Sequence, residues 1–357
     1  FGVSSAVVRD KAPNTGVTVL IGSPATNPAV ARAVGRTWPK VTDQGLVIRR
    51  LQTTATGART LVVGGGSPAA TFWAVCELGH RLGIRYTFRR DFFPPQRPFE
   101  LPDLNVVEEP ELRSRMWRTI NDFAIGPESW GLAEHEAFIR QLAKMKFNRI
   151  LLSVYAWQPF VDYQFRGVQR KTALHWFGEI LRVDGDTPGR GAFKGAKIFE
   201  NPDFAGLKTY EQRIAAGRRH LTGIIDTSHA LGMSVGLSIS VLEFPREFVK
   251  ALPKAQLVHQ LKSLTIGPGP DQQPDDPILK SLIATKIRAY LDTYPGIDAL
   301  YVAVPEFPGW KSHAAAAWKQ LNDRRDLGEM TLEKLVAAAR NRKLIASGDR
   351  GENSIRG

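Results

Sequence analysis

The chain has 357 residues, of which 43% are hydrophobic and 23% are charged. This length fits two domains, and this composition excludes collagen-like, coiled-coil and wholly disordered proteins. The 48 Lys and Arg residues against 35 Asp and Glu residues give a net charge of +13, but the basic residues are scattered and the sequence has no zinc-finger spacing or RNP-type aromatic block. We therefore expect a solvated basic surface and no nucleic-acid partner.

Cysteine usage and hydropathy set further limits. Cys76 is the single cysteine, so an internal disulfide is excluded while the cellular compartment stays open. The sequence has no apolar run of about 18 residues, the length that a membrane-spanning helix needs. The start at Phe1 shows no basic segment followed by an apolar signal core. These features predict a soluble chain with no membrane partner.

The first hundred residues alternate short apolar runs with turn residues. A helix is predicted over Ser67–Leu82, because Ser67-Pro68 supplies a cap with a first-turn proline and Gly83 ends the apolar helical spacing. Gly64-Gly65-Gly66 before this helix lacks the spacing of a nucleotide-binding loop, which favours a tight strand-to-helix turn. The predicted strands are Val17–Ile21, Leu46–Ile48, Leu61–Val63 and Tyr86–Phe88.

A proline-rich segment, Asp91–Pro110, is predicted to be a linker, since proline continues neither a helix nor a central strand. We place the domain boundary near residue 108, which gives a domain of residues 1–107 and a second of residues 108–357.

Beyond the boundary the sequence alternates strands with helices, a pattern typical of a parallel sheet with crossover helices. We expect the sheet to close into a TIM-type barrel. Such a barrel needs about 250 residues for eight strands, and four strands precede residue 310, so we expect the N-terminal half of a barrel. The predicted strands are 115–120, 148–155, 233–241 and 299–304; the predicted helices are 132–145, 210–231, 278–293, 313–321 and 332–339.

Metal sites, cofactor sites and Ser-His-Asp hydrolase sites are all disfavoured. The histidines form no H-E-x-x-H motif and no cysteine lies near them, so we expect no metal and no cofactor. His135, between two glutamates, is predicted to lie on a solvated helix face. A Ser-His-Asp hydrolase is disfavoured because no G-x-S-x-G elbow occurs.

Carboxylates and aromatic residues follow the predicted strands, at the edge where barrel enzymes build their sites. Glu243 and Glu306 each follow an apolar strand and precede Phe-Pro. Neighbouring aromatic rings would desolvate such a carboxylate and raise its pKa toward the range of a general acid. A strand-end carboxylate that caps or pairs with an arginine is the alternative for both residues, and it is favoured for Glu243.

Candidate substrate-binding residues lie at the same predicted edge. Trp and Tyr rings offer flat faces for sugars and polar atoms for hydroxyl groups, although packing, salt-bridge and loop-shaping roles fit these residues too. The candidates are Arg118, Asn121, Asp122, Tyr155, Trp157 and Trp310.

The segment from Thr60 to Tyr86 resembles the small α+β domain that precedes the catalytic barrel in family 20 hexosaminidases and α-glucuronidases. The likeness covers roughly residues 15–95: the strand ending in Gly64-Gly65, the helix 67–78, and the Leu82-Gly83-Ile84-Arg85-Tyr86 turn. It implies a small α+β support domain followed by a partial (β/α)8 barrel. It also implies export to the periplasm or out of the cell.

Residues 112–310 are similar to the barrels of the same enzymes. Arg118-Thr119-Ile120-Asn121-Asp122 resembles the first-strand motif of xylan α-glucuronidases, and Lys144-Met145-Lys146-Phe147-Asn148 resembles the turn before the second strand. Hexosaminidases have an Asp-Glu pair at the end of the fourth strand, whereas Pro305 precedes Glu306 here.

The resemblance implies an O-glycosyl hydrolase acting on a glycan, with uronate- or amino-sugar-bearing glycans favoured. Glu306 would be the general acid, and Glu243 or a residue on a later strand its partner, because glycoside hydrolysis needs two carboxyl groups. The alternative is a non-catalytic carbohydrate-binding or scaffold protein of the same architecture.

Overall fold

The structure is a computed structural model that describes residues 7, 16–52, 59–119, 127, 130–175, 180–183, 195–258, 263–303, 314–328 and 330–342. It is a mixed α/β protein whose residues group into two compact units. One unit comprises Phe1–Thr119, Leu132–Leu151 and Gly223–Val235; the other comprises Ile120–Gly131, Leu152–Thr222 and Gly236–Gly357. The boundary between residues 107 and 108 stays a prediction.

A four-stranded mixed sheet organises the first unit, with strand order β1-β3-β2-β6. β1 pairs parallel with β3, whereas β2 pairs antiparallel with both β3 and β6. The strands are β1 (Val17–Ile21), β2 (Leu46–Arg50), β3 (Arg59–Gly65) and β6 (Asn105–Glu108); a separate pair is formed by β4 (Arg85–Tyr86) and β5 (Asp91–Phe92).

Helices cover this sheet because its strands alternate side chains between two apolar faces. Helix α2 (Pro68–Arg81) contributes Trp73 to a core cluster that includes Ile48 and Val63, and helix α1 (Pro28–Val34) contributes Val30 to a cluster that includes Val62. The predicted strands 17–21, 46–48 and 61–63 and the predicted helix 67–82 are confirmed within a few residues.

The glycine-rich turn before α2 allows neighbouring backbone segments to pack closely. A Cβ atom on Gly64 would overlap the Gly22 carbonyl oxygen, and one on Gly66 would overlap the Thr42 carbonyl oxygen. The Ser67 side chain then accepts from the Ala70 N–H and caps α2. The expected strand-to-helix turn is confirmed.

Two expectations for this unit are wrong. The predicted linker Asp91–Pro110 contains β5 and β6, and β6 pairs Val107 with Val47 of β2. The prolines flank residues 103–108 and do not interrupt them, so the strand can form on the edge of the sheet. His135, expected on a solvated face, is buried in α3 (Leu132–Lys144) with only 6% of its surface exposed.

A second four-stranded sheet has the order β17-β13-β8-β7. Its pairings of β7 with β8 and of β13 with β17 are parallel, as predicted. The strands are β7 (Met116–Arg118), β8 (Arg149–Val154), β13 (Ser234–Ser240) and β17 (Ala299–Ala303). The described residues contain no closed barrel, and closure stays a prediction.

Long helices follow the predicted positions in this part of the chain. Asp276 caps α5 by accepting from the Ile278 and Leu279 N–H groups, and Pro277 occupies the first turn. The helices are α4 (Tyr210–Ala230), α5 (Pro277–Thr293), α6 (Ala314–Arg325) and α7 (Leu332–Asn341). Among the described residues, no helix has the length and apolar character needed to span a membrane.

Smaller strands fill the connections between these elements. β14 and β15 flank β16 in an antiparallel sheet. A short 3-10 helix, Arg246–Lys250, lies between β14 and β15 along the chain. The smaller strands are β9 (Gln164–Phe165), β10 (Val168–Gln169), β11 (Ile180–Arg182), β12 (Ile198–Glu200), β14 (Phe244–Pro245), β15 (Ala255–Val258) and β16 (Thr265–Pro268).

Candidate functional site

The parallel pair β13–β17 aligns the carboxyl ends of its two strands. Its register places Ser240, the last residue of β13, opposite Ala303, the last residue of β17. The Val241 N–H then donates to the Ala303 carbonyl at 3.4 Å. The chain therefore leaves both strands at the same edge, where α/β proteins assemble their sites.

Glu243 lies three residues beyond β13 and is buried, with 8% of its surface exposed. Its Oε1 atom accepts a hydrogen bond of 2.6 Å from the Thr265 hydroxyl. The antiparallel pairing of β14 with β16 brings the two residues together, because it sets Pro245 opposite Thr265. The hydroxyl thus gives a buried carboxyl oxygen the partner that it needs.

Lys286 of α5 lies beneath the same turn, with 2% of its surface exposed. Its Nζ donates to the Ser240 carbonyl at 2.5 Å and to the Glu243 carbonyl at 2.7 Å, and lies 5.5 Å from the centre of the Phe244 ring. Burial lowers the pKa of Lys286 to about 7; the charge of Glu243 opposes this shift and that of Arg170 adds to it. One buried amino group therefore binds both ends of the turn that carries Glu243.

A second buried basic residue, Arg170, holds the segment that follows β8. It is 1% exposed, and its guanidinium donates to the carbonyl oxygens of Ala156, Gln158 and Val161. These bonds satisfy backbone groups that would otherwise be buried without partners.

The aromatic candidates of this segment stack on each other. The rings of Tyr155 and Trp157 have centroids 4.5 Å apart and planes 14° apart. Trp157 is 2% exposed, whereas Tyr155 is half-buried. The Gln158 side chain accepts from the Tyr155 N–H and donates to the His175 carbonyl. In this arrangement Trp157 packs, and Tyr155 retains the accessible surface.

Of the other predicted site residues, the structure describes Arg118 alone. Arg118 is exposed at the end of β7, in the first unit. Asn121, Asp122, Glu306 and Trp310 lie outside the described residues. Their roles stay predictions.

Sequence reasoning missed Thr265, Lys286 and Arg170. For Lys286 a signal exists: it continues the buried spacing of Leu279, Leu282 and Tyr290 along α5, which places a lysine at a core position. Thr265 and Arg170 carry no such local signal.

The part of the chain that the structure describes holds no group of three or more His, Cys, Asp or Glu side chains placed to bind a metal ion. What the cluster offers is a buried carboxyl group that a hydroxyl orients from one side and an amino group fixes through the backbone.

Comparisons with known proteins return distant structural neighbours. No family model and no curated protein matches the chain. A β-N-acetylhexosaminidase structure matches at 14% identity and TM-score 0.43, over 89% of this chain and 58% of its own. A family 89 glycoside hydrolase from Clostridium perfringens matches at 12% identity and TM-score 0.46, over 86% of this chain and 37% of its own.

A family 20 β-N-acetylglucosaminidase matches at 14% identity and TM-score 0.36, over 69% of this chain and 42% of its own. The chain thus spans between about one third and three fifths of the length of these structures. At such TM-scores the likeness establishes no activity for this chain.

Proposed function

We propose that the chain belongs to a glycoside hydrolase in which Glu306 is the general acid and Glu243 is its partner carboxylate. The observation that carries the proposal is the register of β13 and β17. Glu243 lies three residues beyond Ser240, Glu306 lies three residues beyond Ala303, and Ser240 is opposite Ala303.

This register supports a carboxyl pair at a useful distance. Neighbouring strands lie about 4.8 Å apart, and two glycosidase carboxyl groups lie about 5 to 5.5 Å apart in retaining enzymes or about 6.5 to 9.5 Å apart in inverting ones. We propose that two carboxyl groups three residues beyond these adjacent strand ends approach within this range.

The proposed substrate is a glycan that bears uronic acids or amino sugars. The net charge of +13 attracts a polyanion such as a uronate-bearing glycan at long range. The amino-sugar option derives from the sequence resemblance. Of the aromatic residues predicted to bind substrate, Tyr155 is described and half-buried, so it retains surface that can contact a sugar ring.

The test compares Glu306→Gln and Glu243→Gln with the unchanged chain on nitrophenyl and dinitrophenyl glycosides, including glucuronides and N-acetylhexosaminides. We expect each variant to lose about 100-fold or more in turnover of the nitrophenyl glycoside. Dinitrophenolate leaves without protonation, so it should largely restore Glu306→Gln and not Glu243→Gln. The matched control is Glu211→Gln, which removes an exposed carboxyl group from the first turn of α4.

A second candidate is a carbohydrate-binding protein without hydrolytic activity. It is favoured by the burial of Glu243 and its bond to Thr265, which also suit a structural carboxylate. Glycan binding by calorimetry, with no aryl alcohol released from any substrate, would select this candidate and contradict the hydrolase.

A further inference from the structure

We propose that Lys286 is a positioning residue for Glu243: its amino group ties together the two ends of the turn 240–243 and so fixes where the Glu243 carboxyl group lies. The consequence for turnover rests on the glycosidase function proposed above. The effect on the position of the turn does not.

The geometry of the bonds carries this proposal. Nζ reaches the carbonyl of Ser240, where β13 ends, and the carbonyl of Glu243 itself, at 2.5 and 2.7 Å. Helix α5 anchors the lysine by burying Leu282 and Tyr290 on the same face. The turn is therefore tied to a rigid element, while Thr265 holds the side chain of Glu243 from the neighbouring strand β16.

The number of donors favours the neutral amine in this site. An ammonium group has three N–H donors and a neutral amine has two, and two carbonyl oxygens accept from Nζ. The charged groups that act on Lys286 are Glu243, which favours the protonated form, and Arg170, which opposes it. Burial outweighs both and lowers the pKa of Lys286 to about 7.

This pKa gives the turn a pH dependence of known sign. If opening the turn hydrates Nζ, the open state has a pKa near the ordinary value of about 10.4. Between pH 7 and about 10.4 the open state therefore binds more protons than the closed state, and raising the pH favours the closed state. Below pH 7 both states are protonated and the preference stops changing.

The experiment measures amide hydrogen exchange of residues 241–243 by mass spectrometry from pH 6 to 9, with rates corrected for intrinsic base catalysis. In the unchanged chain we expect protection to rise at least tenfold between pH 7 and 9. In Lys286→Met we expect a flat profile and at least tenfold faster exchange at pH 9. Lys280→Met removes an exposed lysine from the same helix and should match the unchanged chain.

Each result decides the matter. A flat profile in the unchanged chain, or equal exchange of 241–243 in Lys286→Met, overturns the proposal. Exchange that accelerates equally throughout Lys286→Met indicates a general loss of structure and overturns it too. If Lys286→Met does not fold, the pH profile of the unchanged chain alone decides.

Measurements of turnover distinguish a failure of this inference from a failure of the proposed function. With an active glycosidase, Lys286→Met should lower kcat at least tenfold and leave KM unchanged, since a displaced Glu243 affects the transition state more than substrate binding. If the unchanged chain hydrolyses no glycoside but shows the expected exchange profile, the proposed function fails and the role of Lys286 stands.

Discussion

At the scale of single residues, the hydroxyl of Thr265 is the group whose removal isolates one bond of the site. Thr265 is fully buried, and its Oγ1 donates to Glu243 at 2.6 Å. Valine has nearly the same shape but no donor, so Thr265→Val leaves a carboxyl oxygen buried without that partner.

We expect Thr265→Val to lower the free energy of unfolding by about 1 to 3 kcal/mol, measured by urea denaturation at pH 7. Thr265→Ser keeps the hydroxyl and loses one methyl group, which costs about 1 kcal/mol. The serine variant should therefore be the more stable of the two. Equal stability, or a more stable valine variant, would show that the bond contributes nothing.

These residues also show how far a site can be predicted from sequence. Glu243 was a candidate because it follows an apolar strand, a local pattern that the structure bears out at β13. Its partner Thr265 is 22 residues away and meets it through the pairing of β14 with β16. Neither strand has a clear alternating pattern, because β14 is two residues long and β16 is buried throughout, so the contact had no sequence signal.

At the scale of elements, the sequence predicts the cap of α2 but neither the cap of α1 nor the edge strand β6. Ser67-Pro68 marked the start of α2, and the Ser67 Oγ accepts from the Ala70 N–H at 3.1 Å. Asn27-Pro28 is the same signal for α1, where Asn27 accepts from the Ala29 N–H, although the sequence analysis predicts no helix there. The prolines around β6 masked a strand whose pairing partner, β2, lies more than fifty residues earlier.

The cap of α2 gives a prediction at this scale. Ser67→Ala should lower the free energy of unfolding by about 0.5 to 2 kcal/mol, because an N–H group of the first turn loses its partner. Ser67→Asp restores an acceptor beside the positive end of the helix dipole and should retain most of the stability. Urea denaturation followed by far-UV circular dichroism measures both, and equal losses in the two variants would contradict a capping role.

At the scale of the whole molecule, the sheets leave edges. Within the described residues, β7 and β17 are the outer strands of their sheet, and Val302 of β17 is 60% exposed. An unpaired edge with an exposed valine is a template for pairing with another copy. The net charge of +13 opposes such association, and salt screens this repulsion.

We therefore expect the 357-residue chain to aggregate, and to do so faster as salt is raised, as measured by light scattering after size-exclusion chromatography. Val302→Lys places a charge on the edge strand and should reduce the aggregated fraction several-fold at 0.5 M salt. Val249→Lys adds the same charge at a 42% exposed position in a 3-10 helix, so it controls for net charge alone. If both variants reduce aggregation equally, charge and not the β17 edge controls association; if the unchanged chain is monodisperse and melts cooperatively, the exposed edge carries no liability.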